Sequence, residues 1–336
     1  MAKNKLRVAI NGFGRIGRAA FKIALQHKNI EIVALNDLTD AHTLAYLLQY
    51  DTAYGKYHKS VKVQGNNLVV GRQKYPVIAV SDPAKLPWRK MKVDIVLECT
   101  GRFRTAIDAG KHVKAGAKRV IISAPAKGGA VSTYVLGVNH HNYKKEKIIN
   151  NASCTTNCVS PVAQIMHSKF GVAKAALTTI HSYTADQRLQ DAPHRDLRRA
   201  RAAAENIVPT TTGAAIATTE VIPELKGLFD GIAVRVPTIC GSLSDFTFLL
   251  NKNVTVAQVN NVFRQASRQS RWRDILVVTD DPLVSSDIIG NGASAIIDMG
   301  MTQVIGGNLV KIIAWYDNEW GYANRLVEMA KAVSVA

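Results

Sequence analysis

The sequence predicts an α/β protein in two parts. A parallel sheet covered on both faces by helices comes first, and an α+β domain with a largely antiparallel sheet follows. Three observations lead there. Short apolar runs alternate with helix-like stretches in the first half, the pattern of a strand–helix–strand series. A glycine-rich turn joins the first of these runs to the first helix. From about Cys154 the strands lengthen and few helices separate them. A length of 336 residues suits about two domains, and a hydrophobic content of 47% supplies ample core.

Taken in order, residues 6–10 read as a strand and 14–27 as a helix. Residues 31–35, 94–97 and 119–122 are further strands, with a helix over 105–115 that stops at Gly116. Residues 55–76 are polar, alternating and punctuated by glycine, which predicts a small antiparallel excursion. Residues 155–170 form a helix with Pro161 inside it, where the missing N–H should bend it. Strands are expected over 175–180, 232–237, 243–250, 275–278, 293–298 and 311–316, and helices over 256–267 and 324–333.

The turn between the first strand and helix reads Gly12-Phe-Gly14-Arg-Ile-Gly17. Gly12 permits a tight turn, Gly14 lets backbone approach a pyrophosphate, and Gly17 lets helix and strand pack closely. The helix N-terminus adds amide donors and a positive dipole end. Asp37 follows the second strand, where an acid would bind ribose hydroxyls and repel a 2′-phosphate. Strand, turn, helix, strand and acid in this order predict a Rossmann-type site for NAD rather than NADP.

Two of the four cysteines fall in the stretch "ASCTTNC". A metal clip needs further paired ligands, and Cys99 and Cys240 stand alone. A disulfide is disfavoured by compartment and by poor geometry along one helix face. Cys158 suits a buried small hydrophobe. Cys154, among Ser153, Thr155, Thr156 and Asn157, sits in a polar setting at a helix N-terminus, which should depress its pKa and offer amides to an oxyanion. A thiol that passes a proton needs a base, and His181, at the end of a strand, is the candidate.

No apolar run approaches the roughly 20 residues that span a bilayer, and the first apolar run is too short for a signal peptide. A cytoplasmic protein with no membrane partner is expected. The net charge of +18 fits a solvated basic surface, attraction of small anions, or nucleic acid as a side activity.

The segments "INGFGRIGR", "ASCTTNC", "HSYTADQ", "HRDLRRARAAAENIVPTTTGAA", "VIPELKG", "RVPT", "PLVSSD" and "WYDNEWGYANR" resemble, nearly end to end and in order, the NAD-dependent, type I phosphorylating glyceraldehyde-3-phosphate dehydrogenase family. The resemblance implies glycolytic or gluconeogenic oxidation of glyceraldehyde 3-phosphate by a homotetramer. Cys154 forms a thiohemiacetal and then a thioester that inorganic phosphate cleaves to 1,3-bisphosphoglycerate, with His181 as base. It further implies that Thr184 and Arg235 hold the substrate phosphate, that Ser153, Thr155, Thr212 and Gly213 hold the attacking phosphate, and that Arg199 lies near both. Arg15 and Ile16 would lie at the pyrophosphate, Thr100 and Ser123 would line the nucleotide groove, and Asn318 would orient the nicotinamide carboxamide. Leu38 and Pro193 match the NAD-using members. Read this way, residues 1–153 form the NAD-binding domain, completed by a C-terminal helix over 317–336, and 154–316 form the catalytic and substrate domain.

In the run of arginines from Arg195 to Arg201, Arg198 and Arg201 read as a solvated helix face. The chain departs from the family pattern at Ile216, over 239–245 and over 292–295. These departures leave two alternatives: an erythrose-4-phosphate dehydrogenase that hydrolyses its thioester, and, from the charge, a polyanion- or RNA-binding protein.

Overall fold

The computed structural model describes residues 5–335. They divide into two compact units. The first runs to Tyr134 and takes in Asn142–Ala152 and the chain from Ala323 on; the second comprises Val135–His141 and Ser153–Tyr322.

In the first unit, β1 (Leu6–Asn11) leads through the glycine turn to α1 (Arg15–Ala24), then β2 (Ile30–Asn36) and α2 (Ala41–Gln49). A two-residue pair, β3 (Tyr50–Asp51) and β4 (Gly55–Lys56), precedes β5 (Val61–Gln64), β6 (Asn67–Val70) and β7 (Gln73–Ile78). The unit continues with β8 (Ile95–Glu98), α3 (Ala106–Lys114), β9 (Arg119–Ile122) and β10 (Ile148–Asn150). The sheet order is β10-β9-β8-β1-β2-β7-β6-β5. Pairing is parallel from β10 to β7, and β7-β6-β5 is the expected antiparallel excursion. Val8, Ala9 and Ile10 are all buried, as a strand covered on both faces requires. Helix α3 starts where Thr105 Oγ1 accepts from the Asp108 N–H at 3.0 Å. The chain then turns at Gly116, whose φ of 108° favours glycine.

The second unit opens with α4 (Cys154–Phe170), which runs unbroken through Pro161. It continues with β11 (Val172–Ser182), β12 (Val208–Thr211), α5 (Ala214–Val221), β13 (Phe229–Val236) and β14 (Ser242–Leu250). Then come α6 (Val256–Ser267), β15 (Leu276–Thr279), β16 (Ala295–Ile305), β17 (Leu309–Tyr316) and α7 (Trp320–Val335), the last belonging to the first unit from Ala323 on. Its sheet, β12-β13-β11-β14-β17-β16-β15, is mostly antiparallel, with parallel pairs β13/β11 and β16/β15. The expected strands and helices are present with ends that differ by a few residues, except that β16 runs on to Ile305 rather than ending at 298, and α2, α5, β3, β10 and β12 are additions. Residues 195–201 correct an expectation: they form turns, not a helix face. Among the described residues no helix is long and apolar enough to cross a membrane.

Candidate active site

Cys154 is the first residue of α4, and Ser153 caps the helix by accepting the Thr156 N–H on Oγ at 3.0 Å. Ala152, just before the cap, holds a left-handed φ of 54°, a conformation that costs a non-glycine residue about 1 kcal/mol or more. The Cys154 sulfur lies 3.5 Å from His181 Nε2. His181 Nδ1 lies 2.6 Å from the Ser182 carbonyl oxygen. A carbonyl only accepts, so Nδ1 carries the proton and Nε2 turns a lone pair to the sulfur. Parallel pairing of β11 with β13 sets Arg235 beside His181. Arg235 Nη1 donates to the same Ser182 carbonyl and to Thr184 Oγ1, each at 3.2 Å.

Tyr316, which sequence reasoning missed, closes this arrangement. Its hydroxyl lies 3.0 Å from Thr155 Oγ1 and 2.9 Å from Thr179 Oγ1. Its ring meets the His181 ring edge-on, with centroids 6.0 Å apart. The signal was faint: a tyrosine ending a strand looks like one more buried alternate.

Burial, followed by the Arg235 charge, pushes the His181 pKa down to about 3. Burial also raises the Cys154 thiol, although Arg235, the Thr155 hydroxyl and backbone amides pull it down. This corrects the expectation of a depressed thiol pKa. The helix-end amides are present, but removal from water outweighs them. Both directions favour an uncharged thiol and an uncharged imidazole at rest. Cys158 is fully buried, and burial raises its thiol, as expected of a small hydrophobe.

The two candidate anion-binding arginines differ. Arg235 makes no ion pair among the described residues, and its buried Nε has no hydrogen-bond partner. An orphaned donor on a half-buried guanidinium without an ion pair suits an anionic ligand. Arg199 is already neutralised: Nη1 meets Asp186 at 2.5 Å, Nε donates to Thr210 Oγ1 at 3.0 Å, and Nη2 donates to the Thr211 carbonyl at 3.2 Å. Arg195, Arg198 and Arg201 are exposed. Thr212 Oγ1 accepts the Ala214 N–H at 3.2 Å. Gly213 caps α5 with no side chain, which leaves that helix end's amides without a side-chain acceptor. Ile216, a departure from the family pattern, is 62% exposed on α5.

Asn318 follows β17. Its Oδ1 accepts from Ser242 Oγ at 2.9 Å, the Gly241 N–H at 3.2 Å and Cys240 Sγ at 3.7 Å. That fixes the amide with its NH2 left to donate.

The first unit carries a cavity of about 320 Å³ lined by Asn11, Gly12, Gly14, Asp37, Thr100 and Phe103 among others. Gly12 has φ 90°, and a Cβ there would stand 2.7 Å from the Thr100 nitrogen. A Cβ on Gly17 would fall 2.1 Å from the Gly12 oxygen, whereas one on Gly14 would meet no protein atom within 4 Å. Gly14 also caps α1 without a side chain. Asp37 is held by N–H groups of Phe13 at 2.7 Å and Thr39 at 2.9 Å, one on each oxygen, and each oxygen keeps a lone pair for a sugar hydroxyl. These features fit a dinucleotide. Arg15 is ion-paired with Asp51 at 2.7 Å, and Arg15, Ile16 and Ser123 do not line the cavity. Ser123 N–H instead donates to the Glu98 carbonyl at 3.0 Å.

Comparison with known proteins agrees with both units. Residues 6–106 match the model of the glyceraldehyde 3-phosphate dehydrogenase NAD binding domain, and residues 153–318 match that of its C-terminal domain. The chain is 52% identical to glyceraldehyde-3-phosphate dehydrogenase of Geobacillus stearothermophilus over 98% of both chains. It is 51% identical to glyceraldehyde-3-phosphate dehydrogenase 1 of Bacillus subtilis over 98% of both. It is 50% identical to the enzyme of Borreliella burgdorferi over 97% of this chain and 99% of that one. Likeness of this degree over nearly the whole length, joined to a cysteine–histidine pair and a dinucleotide turn, makes this chain a member of the glyceraldehyde-3-phosphate dehydrogenase family.

Proposed function

We propose that this chain carries out the NAD-dependent oxidation of D-glyceraldehyde 3-phosphate, with inorganic phosphate, to 1,3-bisphosphoglycerate. The observation that carries the reading is the sulfur 3.5 Å from a histidine nitrogen whose partner nitrogen is tied to a carbonyl. The Cys154 sulfur bonds to the aldehyde carbon as its proton moves to His181 Nε2. His181 passes that proton to the former carbonyl oxygen, giving a thiohemiacetal. The amides at the start of α4 stabilise the negative charge that develops on that oxygen. Bound NAD supplies the hydride acceptor. His181 takes the hydroxyl proton back as the thioester carbonyl forms. A phosphate oxygen then attacks the thioester, the C–S bond breaks, and His181 returns the proton to sulfur. A neutral imidazole is the protonation state this work requires.

Arg235 and Thr184 hold the substrate phosphate in this reading. Ser153, Thr155, Thr212 and Gly213 receive the attacking phosphate, with Arg199 ordering the neighbouring turn. Gly12, Gly14, Gly17, Asp37 and Thr100 hold the dinucleotide, with Arg15, Ile16 and Ser123 supporting the groove, and Asn318 donates to the nicotinamide carboxamide. The Asp37 carboxylate favours NAD over NADP. The first unit is the cofactor domain and the second the catalytic domain. The protein works in the cytoplasm as a homotetramer, which light scattering checks.

The test is NADH formation from the aldehyde phosphate with and without inorganic phosphate, for the intact chain and Cys154→Ala. Strict phosphate dependence, abolished in the variant, is expected. Phosphate-independent turnover that prefers erythrose 4-phosphate would replace this reading with the hydrolytic one.

A further inference from the structure

Beneath the glycine turn lies a buried polar network for which the reaction has no direct use. Glu98 is 1% exposed and His112 fully buried. Trp88 Nε1 donates to His112 Nδ1 at 3.0 Å. An indole N–H only donates, so His112 Nδ1 accepts and its proton resides on Nε2. Nε2 faces Glu98 Oε2 at 3.0 Å, so that oxygen must accept. Oε2 also receives Asn11 Nδ2 at 2.5 Å. Oε1 receives the Thr100 N–H at 2.8 Å and the Thr100 hydroxyl. Asn11 Oδ1 in turn accepts from Asn36 Nδ2 at 2.7 Å, and Asn36 is tied to both backbone groups of Val80. The indole thus sets the histidine tautomer, and the backbone groups of Thr100 and Val80 set the polarity at the other ends of the chain.

The places it joins matter. Asn11 precedes Gly12, Asn36 precedes Asp37, and Thr100 is the residue whose backbone a Cβ on Gly12 would strike. Asn11, Asn36 and Thr100 also line the cavity. The carboxylate at the end of β8 thus holds the end of β1 directly and, through Asn11, the end of β2, the ends that carry the turn and the ribose-binding acid.

We propose that Glu98, with its polarity set by His112 and Trp88, is a positioning residue that preorganises the dinucleotide turn. This rests on the reading that the Gly12–Gly17 turn and Asp37 hold the dinucleotide. In Glu98→Gln an NH2 must face at least one donor, because His112 cannot reverse while Trp88 donates to it. Such a variant spreads the turn and weakens cofactor binding without touching the thiol.

The experiment compares intact protein, Glu98→Gln, Trp88→Phe and Asp37→Ala. NAD affinity is measured by titration, steady-state kinetics are run at saturating NAD, and the rate of Cys154 alkylation by iodoacetamide is measured without NAD. Glu98→Gln is expected to raise the NAD dissociation constant by about 10–100-fold, comparable to the loss of a buried charged hydrogen bond. kcat at saturation, the aldehyde-phosphate KM and the alkylation rate should stay within about twofold. Trp88→Phe, the milder change, should raise it by about 3–10-fold, because His112 Nδ1 loses its donor and the imidazole its anchor. If Glu98→Gln does not fold, Trp88→Phe decides. A folded Glu98→Gln, or failing that a folded Trp88→Phe, with unchanged NAD affinity while Asp37→Ala is weakened overturns the positioning role alone. Unchanged affinity in Asp37→Ala as well overturns the placement of the cofactor. A lowered melting temperature with normal NAD affinity would reduce the network to a structural one.

Discussion

Replacing His181 by asparagine isolates what the imidazole contributes to the thiol. Burial raises the Cys154 pKa above the ordinary thiol range. An ordinary thiol with a pKa of about 8.5 is roughly 3% ionised at pH 7, so the resting thiolate here is scarcer still. In the intact protein His181 stays neutral down to about pH 3 and accepts the proton during attack. The variant has only preformed thiolate to react with. Its acylation rate should fall at least about 30-fold at pH 7, in line with the roughly 10²–10⁴-fold worth of a general base. The deficit should shrink about tenfold for each pH unit until the thiol titrates. Stopped-flow single-turnover NADH formation between pH 6 and 10 measures it. Alkylation of the dinucleotide-free protein by iodoacetamide gives an independent titration, expected to climb through pH 8 without a plateau near pH 6. A plateau between pH 6 and 7 would mean that a thiolate–imidazolium pair already exists at rest. A deficit constant across pH would mean that His181 is not the base. Either result refutes the neutral-pair reasoning.

The remaining predictions follow from single contacts. His181 has a folded pKa of about 3 against about 6.5 unfolded, so between those values the unfolded chain binds the extra proton. Stability should therefore be full above pH 6.5 and fall by about 1.4 kcal/mol per unit below it, or roughly 2 kcal/mol by pH 5. Urea midpoints at pH 7 and 5 should show a smaller loss in His181→Asn, and an equal loss would exclude this source. Gly17→Ala places a Cβ 2.1 Å from the Gly12 oxygen and should cost about 1–3 kcal/mol or more. Gly14→Ala meets no protein atom within 4 Å, and should keep its unfolding midpoint while NAD binding weakens at least about tenfold. Arg235→Lys loses the planar fork and should raise the aldehyde-phosphate KM about 10–100-fold with the midpoint unchanged. Arg199→Ala breaks bonds to Asp186, Thr210 and Thr211 and should lower the midpoint by about 1–3 kcal/mol.

Elements with strong local signals were legible to the residue. Helix α6 matches its expected 256–267 because Thr255 and Gln258 form a capping box. Strand β9 matches 119–122 because it is a short apolar run in a parallel sheet. Helices α2 and α5 were not legible, for different reasons. In α2, Tyr46 and Leu47 are 62% and 37% exposed, so apolar residues occupy both faces and no amphipathic stripe appears. In α5, Thr218, Thr219 and Val221 disfavour helix locally, and Gly213 supplies no side-chain cap. Strand β12 contains Pro209, which argues against a strand; it is tolerated because β12 is the edge of its sheet.

The candidate site divides along the same line between local and distant signals. Cys154, Asp37 and the glycines stand in motifs whose spacing carries their meaning, so the residues alone pointed to them. The pairing of His181 with Arg235 depends on strand register across distant sequence, which no local pattern encodes. The direction of the Cys154 pKa shift was misread because a helix end was weighed without its surroundings. Thr155 and Thr156, in the same turn, are 4% and 0% exposed, and desolvation then dominates. The network below the turn did leave a readable trace. β1, β2 and β8 end in Asn11, Asn36 and Glu98, each a buried polar residue closing an otherwise largely apolar run. In a parallel sheet the carboxyl ends of the strands face the ligand crevice. Buried polar residues recurring at that one edge, where burial without a partner is costly, mark the edge as the one the fold keeps for binding.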